Sequence, residues 1–223
     1  MLPRILEPES MDSPEEAAEY DAMDHRGPNQ AFVDRMAELG AGGIMLDVGS
    51  GPGHIPVMMA RRFTGAVVVG VDLSAEMLKV AVGHARGVDR IHYQQADAKR
   101  LPFRSSVFDT VFSNSILHHL PDPRPCLAEM VRVLRPGGVI LIRDLFRPVS
   151  AAELDRIVQA CAAVPERATV LQQAMFRASL MAALRPEELK QMAVELEIEH
   201  LQVVVDSDRH MSLQTHPECT PTP

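Results

Sequence analysis

Residues 46–54 read LDVGSGPGH: Leu46 and Val48 flank Asp47, glycines follow at 49, 51 and 53, and His54 closes the run. Ile44–Val48 is a short apolar run, and residues 56–63 after the glycines have the composition of a helix. A buried strand that ends in alternate glycines and then enters a helix brings bare backbone up to a ligand. Glycine tolerates positive φ and places no Cβ in the way, and the first N–H groups of the helix have no partner of their own. A dinucleotide loop, GxGxxG, would put its third glycine at residue 54, which is His54. That spacing weakens a nicotinamide-dependent oxidoreductase. A phosphate loop needs Gly-Lys before Ser or Thr, and none is present. Asp47 is unfavourable to a pyrophosphate and favourable to an ammonium group. The loop therefore suits a ligand with an amino-acid end and no phosphates.

Outward from this loop, strand and helix alternate. Residues 66–71 (AVVVGV) read as a buried strand, and Ser74 is placed to cap a helix running to about Arg86. Ile91–Gln95 and Phe108–Ser113 are the third and fourth strands. Pro125–Leu134 is a helix that stops at Pro136-Gly137-Gly138, and Val139–Arg143 is the fifth strand. Helical segments of this length between strands imply right-handed crossovers and a parallel sheet. Asp72 ends the second strand 25 residues after Asp47, where such a unit puts an acid beside a ribose; its carboxylate can accept from both hydroxyls. Asp97, with Ala98 after it, follows the third strand and can accept from an adenine amino group. Ser113-Asn114-Ser115 and then His118-His119 follow the fourth. All four strand ends meet along one carboxyl edge, where open α/β sheets bind ligands.

LDVGSGPG, VGVDLSAEML, QADAKRLPF, FDTVFSNSILHHLPDP and RVLRPGGVILI, in register over about residues 42–145, resemble the motifs of a class I S-adenosylmethionine-dependent methyltransferase of the type 11 kind. The resemblance implies an α/β, Rossmann-like doubly wound sheet of seven mostly parallel strands with an antiparallel last strand and helices on both faces. Runs at 200–206 and 209–214 stand ready to complete it. It also implies S-adenosyl-L-methionine as cofactor and S-adenosyl-L-homocysteine as product. Asp47 and Gly49 would flank the methionine end, with Ser50 between glycines and with Gly51 and Gly53 allowing close approach. Asp72 would hold the ribose, Leu73 and Met77 would pack on the adenine, Asp97 and Ala98 would meet its amino group, and Ser113 and Asn114 would floor the sulfonium.

Methyl transfer needs alignment of the acceptor, and a general base only where the acceptor arrives protonated. The candidate catalytic residues are His118, at the end of the fourth strand, and His25 and Tyr20, in an N-terminal segment (EYDAMDHRGPN) resembling a helix that covers the cofactor. Residues 150–184, after strand five, form a helical insertion rich in Ala, Met and Leu, a composition that adapts to hydrophobic ligands. Leu154, Ile157, Val158 and Cys161 share one face; Val170, Leu171, Ala174, Met175, Met181 and Leu184 share another. This is read as a substrate cover, with ordinary packing or a homodimer face as the competing reading. His119, Arg143, Arg147, Phe176 and Arg177 are the candidate acceptor contacts, an arginine being suited to a carboxylate. The acceptor is expected to be a small molecule. A methyltransferase-like protein that binds the cofactor or a metabolite without turnover is the alternative.

Composition narrows the partners. With 22 basic and 30 acidic residues the net charge is −8, which opposes nucleic acid. Apolar residues at 46% support a core, and no run approaches the roughly 18 apolar residues of a membrane span. The N-terminus has no signal-like apolar core, and the chain reads as cytoplasmic. Cys126, Cys161 and Cys219 form no pairing pattern, and the histidines show no metal-ligand spacing, so neither disulfide nor metal is expected. Residues 1–15, broken by Pro3, Pro8 and Pro14, read as a frayed arm. Residues 16–215 form one domain, opening on two short helices broken at Gly27-Pro28. A third helix of the C-terminal part starts at Pro186, and residues 216–223 form a disordered tail.

Overall fold

The computed structural model describes residues 2–7, 12–23, 25–162 and 169–216. Seven strands form one sheet: β1 (Ile44–Val48), β2 (Val67–Asp72), β3 (Ile91–Gln95), β4 (Phe108–Asn114), β5 (Leu134–Leu145), β6 (Gln202–Val205) and β7 (His210–Gln214). Their order is β3-β2-β1-β4-β5-β7-β6. Only β7 runs against its neighbours, β5 and β6. The reversed strand expected from the resemblance is therefore β7. The order turns back between β1 and β4, so the carboxyl ends of these strands open a crevice there.

Apolar side chains on both faces of the central strands explain the burial. Leu46, Val48, Val111, Ile140 and Ile142 face one core, which α5 (Arg124–Val133) and α8 (Pro186–Glu195) cover. Met45, Val68, Phe112 and Leu141 face the other, under α2 (Arg26–Glu38) and α3 (His54–Arg62). The Phe32 and Phe112 rings lie 6.0 Å apart there, and each fully buried ring contributes roughly 1.5–3 kcal/mol. Ser74 caps α4 (Ala75–His84), its hydroxyl accepting from the Met77 N–H at 3.2 Å. Cys126 is a fully buried free thiol whose pKa burial pushes up to about 12.

Several details depart from the sequence expectation. The break between α1 (Pro14–Asp21) and α2 falls before Arg26, not at Gly27-Pro28. Pro28 sits in the first turn of α2, where its missing N–H costs no helix bond. β5 starts five residues earlier than Val139: Leu134 pairs with Phe108, and an irregularity between Phe108 and Thr110 accommodates the Pro136-Gly137-Gly138 stretch. In the insertion, α6 (Ala151–Ala162) and α7 (Val170–Ala182) bury Leu154, Ile157 and Leu180 against Leu145 and Ala183. Val170 opens α7 beyond that cluster and is 85% exposed.

Residues 2–7, expected as part of a frayed arm, run without regular secondary structure against α7 and the 3-10 turn at Leu117–His119. The Ile5 N–H donates to Met181 O at 3.0 Å. Arg4 donates to Ala182 O at 2.6 Å and Leu120 O at 2.8 Å. Prolines bar a helix here, yet carbonyls left over at the end of α7 and of the turn take up the segment's donors. Residues 8–11 of that arm and the expected tail beyond His216 lie outside the described residues. No helix among the described residues is long and apolar enough to cross a membrane.

Candidate active site

Two cavities meet along the carboxyl edge of the sheet. The smaller is lined by Gly49, Gly51, Asp72, Leu73, Met77, Asp97, Ala98 and Asn114, all expected cofactor contacts. The larger, about 480 Å³, is lined by Asp47, Ser50, His25, His118, Arg143 and Phe176 among others. Tyr20, Gly49, Gly51, Asn114, Ser115 and His119 line both and join them into one cleft. Each strand contributes its last residues: Asp47 from β1, Asp72 from β2, Asn114 from β4. β5 runs beside β4, with Arg143 paired to Asn114.

The acids in this cleft are set up to receive donors. Asp72 accepts from the Gly51 N–H (2.8 Å) with one oxygen and the Ser74 N–H (2.9 Å) with the other. Burial raises its pKa, while those N–H groups pull the other way. Gly51, at φ +51°, has only a Tyr20 ring carbon at 4.0 Å where a Cβ would point, so its face toward the cleft stays open. Asp47 is 2% exposed, and no hydrogen bond to its carboxylate occurs among the described residues. Burial, and then the charge of Asp72, hold its pKa well above the usual carboxylate range. A buried acid without a partner, at the lip of a glycine loop, fits an incoming ammonium group. Asp97 is 42% exposed on its side chain, close to Lys99; burial would raise its pKa, but hydrogen bonds from Lys99 lower it overall.

His118 is buried, and its Nδ1 lies 2.5 Å from Asp144 Oδ1. Asp144 Oδ2 accepts from the N–H groups of Leu117 (2.5 Å) and His118 (3.2 Å). Burial opposes the imidazolium, but the Asp144 carboxylate outweighs it, with Glu7 adding, so the His118 pKa is raised. The Asp144 pKa is lowered for the same reason, against its own burial. On the far side of the ring, Glu7 Oε1 lies 3.4 Å from His118 Nε2 and 3.2 Å from His119 Nδ1. The Tyr20 ring sits 5.3 Å from His25. Burial, then Asp72, push its phenol up to about 12, which makes it a donor and a poor base.

Arg143 supplies the opposite charge. It is 9% exposed, its guanidinium lies 5.4 Å from the centre of the Phe32 ring, and Asp206 stands 3.6 Å from its Nε. That Nε is buried and finds no hydrogen-bond acceptor among the described residues. His210 also lines the cleft; burial, followed by Arg143 and Arg209, lowers its pKa to about 4.

Four expected site residues lie elsewhere. Gly53 packs helix on helix: a Cβ there would come within 2.4 Å of Tyr93 Oη and 2.8 Å of Ala81 Cβ. Ser113 is fully buried and donates to Val48 O at 2.6 Å, tying β4 to β1 under the cleft floor. Arg147 is buried away from it, donating to Ala183 O and to Glu188, both at 2.6 Å. Arg177 is held on the surface by Asp155 at 2.6 Å. The sequence reading did not select Asp144 or Glu7. Asp144 was visible only as an acid at the end of β5, and Glu7 lay in the supposed arm.

Residues 46–142 match the family described as a methyltransferase domain. That stretch of the chain is similar to a methyltransferase domain. Its relatives include the methyltransferase GfsG of Streptomyces halstedii, 37% identical over 53% of this chain and 48% of that protein. A second is a trans-aconitate 2-methyltransferase of Azoarcus, 38% identical over 44% of this chain and 38% of that protein. The chain thus spans half or less of the length of these relatives. A solved S-adenosylmethionine-dependent methyltransferase from Aquifex aeolicus has the same fold, with a TM-score of 0.65, 15% identity, and coverage of 92% of this chain and 98% of its own. S-adenosylmethionine is the methyl donor of the family. The residues of the cleft fit it: Asp72 for the ribose, the open face of Gly51 beside it, and Asp47 for the ammonium group.

Proposed function

We propose that this methyltransferase domain transfers a methyl group to the hydroxyl of a small organic acid. The observation that carries the reading is the buried Arg143 guanidinium, short of hydrogen bonds, in the same cleft as the His118–Asp144 pair. A planar guanidinium matches a carboxylate with two parallel hydrogen bonds. The name of one relative, trans-aconitate 2-methyltransferase, supports an acidic acceptor.

Bound cofactor would present an electrophilic methyl on a sulfonium, whose C–S bond breaks as the O–C bond forms. Everything else falls to side chains of this chain. Arg143 anchors the acid, so the hydroxyl is held near Asn114 and His118 at high effective concentration. Neutral His118 takes the hydroxyl proton at Nε2, while its Nδ1–H stays on Asp144, which fixes the tautomer and stabilises the resulting imidazolium. The hydroxyl takes the place that Glu7 holds at Nε2. Val158, Phe176 and Ser179, from α6 and α7, line the same cleft and act as the cover that keeps water out.

Transfer from S-adenosylmethionine carrying a tritiated methyl, run across small hydroxy acids and their neutral amides, tests this reading. The acids are expected to be methylated and their amides not. Arg143→Leu is expected to raise KM by about 10-fold or more, the worth of a charged hydrogen bond, with a smaller change in kcat. Equal use of acid and amide would contradict the anionic acceptor, and no transfer to any hydroxyl would contradict the reaction.

A further inference from the structure

A second cluster of ligating groups stands at the edge of the cleft, where His54 lines the larger cavity. Asp21 ends α1, His54 begins α3 and His84 ends α4. Their donor atoms all lie within 4.8 Å of one another. Asp21 Oδ1 is 2.8 Å from His54 Nε2, and Asp21 Oδ2 is 3.5 Å from His84 Nε2. The two imidazoles stack at 4.5 Å between centroids.

Three features point to a metal ion and not to a plain ion pair. His84 Nδ1 lies 2.9 Å from Pro52 O. That carbonyl can only accept, so a proton sits on Nδ1 and Nε2 is the atom turned toward Asp21. A backbone carbonyl behind the ring is the usual support of a metal-ligating histidine. Asp21 Oδ1 is buried and has no hydrogen bond among the described residues, although His54 Nε2 is only 2.8 Å away. The close approach without a hydrogen bond leaves both atoms available to a shared ion. Finally, the three side chains are 27–37% exposed, which leaves a side open to solvent.

We infer that Asp21, His54 and His84 form a binding site for a divalent transition-metal ion, with Zn(II) the best match to two imidazoles and one carboxylate. Three protein ligands and a water complete a tetrahedron. Such an ion ties α1, and with it Tyr20, to the glycine loop through Pro52 and His54. The ion takes no part in the proposed chemistry itself, and its binding is tested without reference to methyl transfer. The similar group Glu7, His118 and His119 belongs to the cleft already described.

Calorimetric titration of Zn(II) into tag-free, chelator-treated protein tests the site. One ion per chain is expected. His54→Gln and His84→Gln are each expected to weaken binding by at least about 10- to 100-fold, no less than loss of a supporting partner costs. His92→Gln, at an exposed histidine on β3, should leave it unchanged. Co(II) added to the unaltered protein is expected to give the intense visible absorption of a four-coordinate ion, a readout that does not depend on any variant folding. Absence of that band, absence of binding heat, or equal binding by the His54 and His84 variants would overturn the assignment.

Discussion

At the scale of single residues, Asp47 shows a site working against its own fold. Its pKa is raised in the folded chain by burial, so between the unfolded and the folded values the native state holds a proton that the unfolded state has released. Stability therefore falls as pH rises from the unfolded value of about 3.9 to the raised folded one, and stays low above it. Asp47→Asn removes that penalty. It is expected to raise the melting temperature at pH 7.5, measured by calorimetry, while weakening S-adenosylhomocysteine binding. A lower melting temperature would show that the carboxylate has a partner after all.

His118 gives the second residue-scale prediction. Its pKa is raised by Asp144 against burial, and it acts as base only when neutral. Turnover should therefore fall as pH drops through a midpoint above the ordinary value of about 6.5. Asp144→Asn should move that midpoint down, and His118→Ala should cost about 100-fold or more in kcat. A pH–rate profile for the three proteins checks this; a midpoint unmoved by Asp144→Asn would contradict the pairing.

Legibility at this scale followed distance along the chain. The placement of Asp47, Gly49, Gly51, Asp72 and Asp97 along the cleft could be read because each stands at a strand end whose position is set by local periodicity. The His118–Asp144 pair was not, because it forms only once β4 and β5 lie side by side 26 residues apart in sequence. Arginines gave no such cue. Arg143, Arg147 and Arg177 look alike as letters, and only the fold shows that Ala183 O, Glu188 and Asp155 engage two of them.

At the scale of elements, alternation of strand and helix was enough to place β1 to β4 nearly to the residue. Helix ends were harder. Pro28 and Gly27 read as a break because proline and glycine usually are one, yet a first helical turn tolerates both. Residues 2–7 depart from the expected arm for a related reason. Proline-rich segments lack regular structure, but lack of a helix is not lack of contacts. Arg4 alone reaches Ala182 O, Leu120 O and Pro121 O. Removing it in Arg4→Ala leaves those carbonyls short of a charged donor and is expected to cost about 1.5–3 kcal/mol in urea unfolding. A change under about 0.5 kcal/mol would mean the segment is not held in solution.

At the scale of the whole molecule, the sheet order explains why chemistry gathers at one place. Reversal between β1 and β4 brings the ends of four strands to a common edge. β7, inserted antiparallel beside β5, carries His210 and the approach to Arg143 onto the same rim. The half of the cleft lined by Asp72 and Asp97 is built from consecutive short motifs, and the half lined by His118 and Arg143 from residues far apart in sequence. That division is why the first was legible in the letters and the second was not.

The central claim is that carboxylates at two strand ends, in place of a phosphate cradle, hold an adenosyl amino acid. Calorimetric titration of S-adenosylhomocysteine into the intact chain and into Asp72→Ala tests it most directly. One site per chain is expected, weakened about 10- to 100-fold in the variant by the loss of charged hydrogen bonds. No measurable heat with the intact chain, or an affinity that Asp72→Ala leaves unchanged, would contradict it.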